Sequence, residues 1–375
     1  MAPVIRALSQ QAAVESRVCL TAQHRHMLDQ VLDVFQILPD YDLNLMREDQ
    51  ALPELSAAIF RGLDPILLEF QPDWVLVQGD TTTVAITALL AYYRRLRLGH
   101  VEAGLRTHDK WQPFPEEVNR RVAGVIADLH FAPTERARAN LLKEGLDPAA
   151  IVVTGNPVID ALQFAAAQPE PEGITRLTQD LGLATDPRRA RASYASAGRS
   201  GDRAEPALCL VTAHRRENFG APLENICAAL LELAQRGDVE IVYPVHLNPS
   251  VREPVQRLLG GAAHITLLPP LDYLPLVHLI KHATLILTDS GGIQEEAPAF
   301  GVPVLVLRQV TERPEGVDAG SLRLVGTDRR QIVTQAARLL EDPAAYAHMA
   351  RASNPFGDGH AAERIVQALL SFSQQ

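Results

Sequence analysis

Cysteine is scarce in this 375-residue chain: Cys19, Cys209 and Cys227 are all it has. No Cys-x-x-Cys spacing occurs, and all three lie in apolar runs. Buried free thiols are therefore expected, and neither a disulfide framework nor a thiolate metal site. Long hydrophobic runs are missing as well. No stretch reaches the roughly 18 apolar residues that a membrane span requires. Residues 1–12 show no charged region followed by an apolar core of the kind that marks a secretory signal. A cytoplasmic protein with no membrane partner is expected. Positive charge is in the minority, with 35 Lys and Arg against 45 Asp and Glu and a formal net charge of -10. That balance speaks against a non-specific nucleic-acid binder, because a polyanion would be repelled. It leaves room for a local basic pocket. No internal repeat of fixed period is visible.

What is present is ordinary for a globular enzyme: 47% hydrophobic and 21% charged residues. The length exceeds one comfortable core and predicts two domains. Short β-branched runs alternate with longer helical patterns, the signature of parallel sheets wrapped by helices. In the first half, strands are expected at 17–20, 74–78, 98–101, 129–132 and 151–154, with helices at 82–96 and 116–126 among them. The rhythm restarts with strands at 207–212, 240–244, 265–268, 285–288 and 303–307. Two alternating halves imply an α/β protein of two doubly wound, Rossmann-like domains facing a cleft. The expected division is 1–165 joined by a C-terminal helix at 355–375, and 166–354. Within the second domain, 186–206 (DPRRARASYASAGRSGDRAEP) is rich in Arg, Ser, Ala and Gly and has little to bury. It reads as a solvated, flexible insertion.

The chemistry-bearing residues cluster where strands end. Gln78-Gly79-Asp80-Thr81-Thr82-Thr83 sits at a strand-to-helix transition. The threonines read as a capping run, and a carboxylate such as Asp80 at a helix start has its ionised form stabilised. The next strand end carries His100-Val101-Glu102, and Pro113-Phe114-Pro115-Glu116 follows, with Glu116 in a first helical turn. Glu116 and Arg120 stand four apart on one helix face, where an ordinary surface ion pair is the plain alternative to function. Yet Asp80, Glu102 and Glu116 map to one rim of one sheet, and gathered carboxylates favour acid–base work. In the second half, His214-Arg215-Arg216 follows the first strand and suits phosphate. Asp289-Ser290-Gly291-Gly292-Ile293-Gln294-Glu295-Glu296 follows a later strand. Its glycines allow close backbone approach, and its free N–H groups favour an anion. Glu295 or Glu296 could accept hydrogen bonds from a ribose diol. Arg313 adds a cation near the same rim.

These segments closely resemble the bacterial non-hydrolysing UDP-N-acetylglucosamine 2-epimerases. The resemblance rests on GDTTT (79–83), HVEAGLRT (100–107), PFPEEVNRR (113–121), GNPVIDAL (155–162) and TAHRREN (212–218). It continues through YPVHLNP (243–249), DSGGIQEEAP (289–298), TERPEG (311–316) and NPFGDG (354–359). It implies a GT-B-like fold and reversible conversion of UDP-N-acetylglucosamine to UDP-N-acetylmannosamine. The implied route eliminates UDP to 2-acetamidoglucal and adds it back, with no nicotinamide cofactor and no metal. It further implies a catalytic set of Asp80, Glu102, Glu116, Arg120 and His214, with UDP held by Ser290, Gly291, Gly292, Glu296 and Arg313; a protonated His214 can stabilise the departing diphosphate. Relatives of this kind are homodimers, and many are activated by a second UDP-N-acetylglucosamine. Gln23, Gln50, Arg216 and His246 match positions linked to that second site, although Asp49 stands where a basic residue is common. One departure concerns the beginning. Relatives place an apolar strand and a G-T-R-P-E-A-I-K segment before the Met1-Ala2-Pro3 seen here. That strand is expected to be central, which leaves two readings open: a start assigned at an internal methionine, or a relative that binds UDP-sugar with little turnover. A hydrolysing epimerase is the nearest enzymatic alternative.

Overall fold

Alternation of strand and helix carries through almost the whole chain in the computed structural model, which describes residues 1–21, 25–45, 47, 50–196 and 205–373. The chain divides into two compact units: Met1–Ala161 with Phe356–Gln375, and Leu162–Pro355.

The first unit holds β1 (Cys19–Leu20), β2 (Tyr41–Asp42), β3 (Trp74–Gln78), β4 (Arg97–Val101), β5 (Leu129–Ala132) and β6 (Ile151–Val153). The strands form two separate parallel sheets, β1-β2 and β3-β4-β5-β6. β4 and β5 are buried almost throughout, so both faces of the larger sheet need cover. One face packs Val77, Leu98 and Ala123 with the helices Thr82–Arg94 and Glu116–Ile126. The other packs Val101, Leu129 and Phe131 against Val4 of the helix Ala2–Ser9 and Ile365 of the helix Ala361–Ser373. That last helix returns to this unit from the far end of the chain. The Asp160 carboxylate accepts from the amides of Ala361 and Ala362 at 3.2 and 2.8 Å, capping its first turn. Gly104, after β4, has φ +89°, and a Cβ there would lie 2.3 Å from the Ala137 carbonyl oxygen. Only glycine lets this loop lie on the helix Glu135–Lys143.

The second unit holds β7 (Ala207–Thr212), β8 (Val239–Pro244), β9 (Ile265–Leu268), β10 (Leu285–Thr288), β11 (Val304–Val306) and β12 (Leu322–Leu324). These form one parallel sheet in the order β12-β11-β10-β7-β8-β9. This is the doubly wound arrangement: the chain builds outward from β7 to β9, then crosses back to β10 and builds the other way. β7 and β10 are therefore neighbours in space although their starts lie 78 positions apart in the chain. The crevice at their carboxyl ends is where such sheets bind ligands. β7, β10 and β11 are apolar and wholly buried, as strands covered on both faces must be.

Segment 186–206 departs from the solvated, flexible reading. Pro187–Ser196 is a helix, with Tyr194 buried against Tyr346 at a ring-centroid distance of 5.8 Å. Arg191 is buried with it and donates to the carbonyl oxygens of Lys281 and Ala283. Two side chains three apart anchor a helix whose composition gave no sign of an apolar face. The rest of the segment, 197–204, lies outside the described residues. β2 and β12 were not foreseen, each being too short for alternation to register.

Candidate active site

The candidate residues fall into two sets, one in each unit. In the first unit, β3 and β4 pair with Gln78 opposite Val101, so Asp80 and Glu102 emerge from adjacent strand ends. Gly79 takes φ +83° to make the turn, and its carbonyl oxygen lies 2.8 Å from His100 Nε2 on β4. A carbonyl only accepts, so Nε2 carries the proton. Burial pushes the His100 pKa down to about 4, which keeps the ring neutral. Glu102 has φ +65°. A side-chain-bearing residue held there costs on the order of 1 kcal/mol, and such strain gathers at working sites. The Gln78 amide donates to Glu102 Oε2 at 3.4 Å.

The helix Glu116–Ile126 approaches the same strand ends. Glu116 is half-buried in its first turn. Asn119 donates to the Asp80 carbonyl oxygen at 2.9 Å, and the Arg120 guanidinium donates to the Asp80 carboxylate. The simple Glu116–Arg120 surface pair that the spacing allowed is not how Arg120 is used. Its two terminal nitrogens serve Asp80, the Leu105 carbonyl oxygen and Glu117. Glu117 is the surprise of this helix. It is fully buried while its apolar neighbour Val118 is exposed, the reverse of what hydrophobic patterning predicts. Its carboxylate accepts from the amides of Thr107 and His108 at 3.0 and 3.2 Å, and from Arg120 and Arg121.

In the second unit Asp289 ends β10 with no exposure. It accepts from the amides of His214 and Arg215, both at 2.9 Å through Oδ2, and from the Asn218 amide nitrogen at 2.9 Å. The strand pairing of β7 with β10 thus ties the turns that follow the two strands together. The His214 ring lies 3.5 Å from Asp289 through Nδ1 and stacks on His246, centroids 5.5 Å apart and 15° from parallel. Burial lowers the His214 pKa, Asp289 opposes the shift, and His246 and Arg215 reinforce it. On balance these influences favour the neutral imidazole.

Ser290 precedes the helix Gly291–Glu296 with no side-chain bond to it, and its own amide donates to Thr288 Oγ1 at 2.9 Å. Arg313 lies against Gly291: a Cβ there would come 3.2 Å from the guanidinium carbon. The Arg313 guanidinium is held by Glu295 and Glu312, each at 2.8 Å. Glu296, one residue on, is buried. Burial, then the neighbouring Glu295 charge, push its pKa up to about 8. The Tyr273 hydroxyl is buried nearby without a hydrogen-bond partner.

Of the residues matched to a second ligand site, Arg216 and His246 are exposed in the second unit and Gln50 is half-buried in the first. Gln23 and Asp49 lie outside the described residues. Among the described residues no group of three or more His, Cys, Asp or Glu is placed to hold a metal ion.

Comparison with known proteins decides which chemistry this framework belongs to. The family model for UDP-N-acetylglucosamine 2-epimerases matches residues 6–370. This chain belongs to the UDP-N-acetylglucosamine 2-epimerase family. It is 52% identical to the UDP-N-acetylglucosamine 2-epimerase of Salmonella typhimurium, over 99% of this chain and 95% of that protein. Among solved structures, it is similar to the Neisseria meningitidis UDP-GlcNAc 2-epimerase bound to UDP-GlcNAc. Identity there is 45% and the TM-score 0.84, covering 99% of this chain and 96% of that one. The Methanocaldococcus jannaschii UDP-GlcNAc 2-epimerase, in complex with UDP-GlcNAc and UDP, aligns at 32% identity and TM-score 0.75, over 99% and 95% of the two chains. These neighbours share the two-domain α/β, GT-B-like architecture. Glu117, Asn119, His100 and Asp289 were not singled out from sequence as site residues. An adjacent Glu-Glu pair before Asn-Arg was the available signal for the first two. His100 and Asp289 are revealed only by strand pairing.

Proposed function

We propose that this chain interconverts UDP-N-acetylglucosamine and UDP-N-acetylmannosamine by eliminating and re-adding UDP. The carrying observation is family membership across 6–370 together with the carboxylates Asp80 and Glu102 on adjacent strand ends and Glu116 on the neighbouring helix. The hydrogen at C2 is not α to a carbonyl, so its removal must be coupled to departure of the group on C1. A carboxylate takes the C2 proton. The C–H electron pair becomes the C1–C2 double bond, and the C1–O pair leaves with UDP. Returning a proton to the opposite face of C2 as UDP re-adds to C1 gives the epimer. Protons and UDP balance over the cycle with no net oxidation, so a hydride carrier has no step to serve.

Asp80, Glu102 and Glu116 supply the proton transfers and stabilise cationic character on the ring. Arg120 holds the Asp80 carboxylate in place. Ser290, Gly291 and Gly292 offer backbone N–H groups to the diphosphate, Arg313 offers its charge, and His214 takes up a proton as the dianion raises its pKa. Glu296, with its pKa at about 8, presents both a hydroxyl and a carbonyl to a ribose diol at neutral pH. Arg216, His246, Gln50 and Gln23 are the residues assigned to an activating second nucleotide sugar.

A homodimer in the cytoplasm completes the reading. On the helices Leu52–Phe70 and Thr82–Arg94, Leu68, Tyr92 and Tyr93 are exposed, with Tyr93 stacked on Phe60. An apolar face of this kind suits a second copy. Free Cys19, Cys209 and Cys227 suit a reducing compartment. No helix among the described residues is long and apolar enough to cross a membrane.

The test is incubation with UDP-N-acetylglucosamine in deuterated water, followed by proton NMR. Deuterium entering C2 with UDP-N-acetylmannosamine appearing is the expected result. Free N-acetylmannosamine as the product would mean a hydrolysing enzyme instead. UDP binding without exchange would leave a nucleotide-sugar binder and end the epimerase reading.

A further inference from the structure

Glu117 stands outside the proton-transfer set, yet more bonds converge on it than on any of that set's carboxylates described above. It is fully buried on the inner side of the helix Glu116–Ile126. One oxygen accepts from the Thr107 amide at 3.0 Å and from Arg120 at 3.4 Å; the other accepts from the His108 amide at 3.2 Å and from Arg121 at 3.3 Å. A buried carboxylate is costly to keep unless its lone pairs are met, and here four donors meet them. The donors come from two places. Thr107 and His108 belong to the loop that leaves β4 five residues after Glu102. Arg120 and Arg121 lie on its own helix.

The consequence falls on Arg120. Its Nε is buried with no hydrogen-bond partner, so only the two terminal nitrogens fix the plane of the guanidinium. One is held by Glu117 and the Leu105 carbonyl oxygen, and the other reaches the Asp80 carboxylate. With one end pinned, the fork presents the other end to Asp80 in a single orientation. Asn119 and His100 hold the backbone on either side of Asp80 through the Asp80 and Gly79 carbonyl oxygens. They fix the chain at this turn, whereas Glu117 fixes, through Arg120, where the carboxylate itself points.

We infer that Glu117 is a positioning residue for the epimerase reaction, orienting Arg120 so that Asp80 meets the C2–C1 region of the sugar in a productive geometry. The inference rests on the epimerase reading above and adds a residue to it. Side chains that hold a reacting group within a fraction of an ångström govern turnover more than affinity. Displacement by about 1 Å costs on the order of a hundredfold in rate. The residues assigned to UDP lie in the other unit and are untouched by Glu117, so nucleotide affinity has no reason to follow.

The experiment compares Glu117→Gln, Arg120→Lys and the double variant by initial rate of C2 deuterium exchange, KM for UDP-N-acetylglucosamine and Kd for UDP. Glu144→Gln serves as the stability control: Glu144 pairs with buried Arg106 at the same loop but does not touch Arg120 or Asp80. Glu117→Gln is expected to lower kcat by roughly 10- to 100-fold, with KM and the Kd for UDP within about threefold of wild type. In the Arg120→Lys background the same change is expected to cost less than about threefold more, because residues acting in series are non-additive. Glu144→Gln is expected to lower the unfolding temperature while leaving kcat in place. Full additivity of Glu117→Gln with Arg120→Lys overturns the proposal. So does kcat of Glu117→Gln within threefold of wild type, or equal loss of kcat in Glu144→Gln. If Glu117→Gln fails to fold, Glu117→Asp, which keeps the charge and shortens the reach, enters the same comparison. A wild-type chain that shows no exchange removes the epimerase reading and this inference with it. An active wild type with an undiminished variant removes only this one.

Discussion

Glu296 gives this protein a pH-dependent stability that one substitution should erase. The carboxyl is buried, and its pKa rises from 4.5 to about 8 because burial, and then Glu295, disfavour the charged form. An unfolded chain releases that proton near 4.5, whereas the folded chain keeps it until about 8. Between those values the native state binds one proton more than the unfolded state, so stability falls as pH rises. The contribution is complete below 4.5 and gone once pH has passed through 8. At ~1.36 kcal/mol per pH unit, the loss between roughly pH 5 and roughly pH 9 is about 4 kcal/mol. Glu296→Gln keeps the shape and is neutral throughout, so it removes this slope. Urea unfolding followed by far-ultraviolet circular dichroism, on both proteins across that range, isolates the term, since every other titrating group is common to both. The stability of the variant relative to wild type should rise by about 4 kcal/mol from the acid to the alkaline end. Curves that stay parallel within about 1 kcal/mol would refute the argument that Glu296 is held neutral by its surroundings. The same protonation should make UDP affinity weaken above pH 8, as the hydroxyl that Glu296 offers a ribose is lost.

Other consequences can be checked alongside. Asp289→Asn replaces a buried acceptor of three N–H donors with a group that turns an NH₂ toward some of them. A loss of about 3 kcal/mol on urea unfolding is expected, with a fall in kcat as the His214 turn loosens; a change under about 1 kcal/mol would contradict it. Tyr194→Ala should cost about 3 kcal/mol and release the helix Pro187–Ser196 to hydrogen exchange, if its ring contact with Tyr346 anchors that segment. Unchanged protection there would mean that Arg191 alone holds the helix. Tyr93→Asp puts a charge in the exposed aromatic face of the first unit and should shift sedimentation toward monomer; a dimer as tight as wild type would place the interface elsewhere.

The larger features could be read before any coordinates. β7 and β10 are short apolar runs, the pattern of strands covered on both faces of a parallel sheet. Gly79 and Gly291, at the ends of such runs, marked the turns that carry Asp80 and the start of the helix Gly291–Glu296. Those readings succeeded because they depend on residues close together in sequence. The helix Pro187–Ser196 was misread because its anchors are a tyrosine and an arginine, whose partners lie more than 80 residues away. The charge state of His214 was illegible for a similar reason. It depends on burial, on Asp289 at the end of β10 and on His246, which approaches from after β8.

Glu117 and Val118 show the division most plainly. By composition one belongs in water and the other in the core, and the structure exchanges them. Its own helix meets only half the need, through Arg120 and Arg121; the other two donors come from a loop nine and ten residues back. Sequence alone determined the fold class, the strand ends where chemistry collects and the family to which the chain belongs, because these follow from hydrophobic period, turn residues and motif order. Tertiary structure decided which carboxylate is buried, which guanidinium it steers and which groups are charged. Burial and hydrogen-bond satisfaction are properties of neighbours in space, and the chain acquires those only by folding.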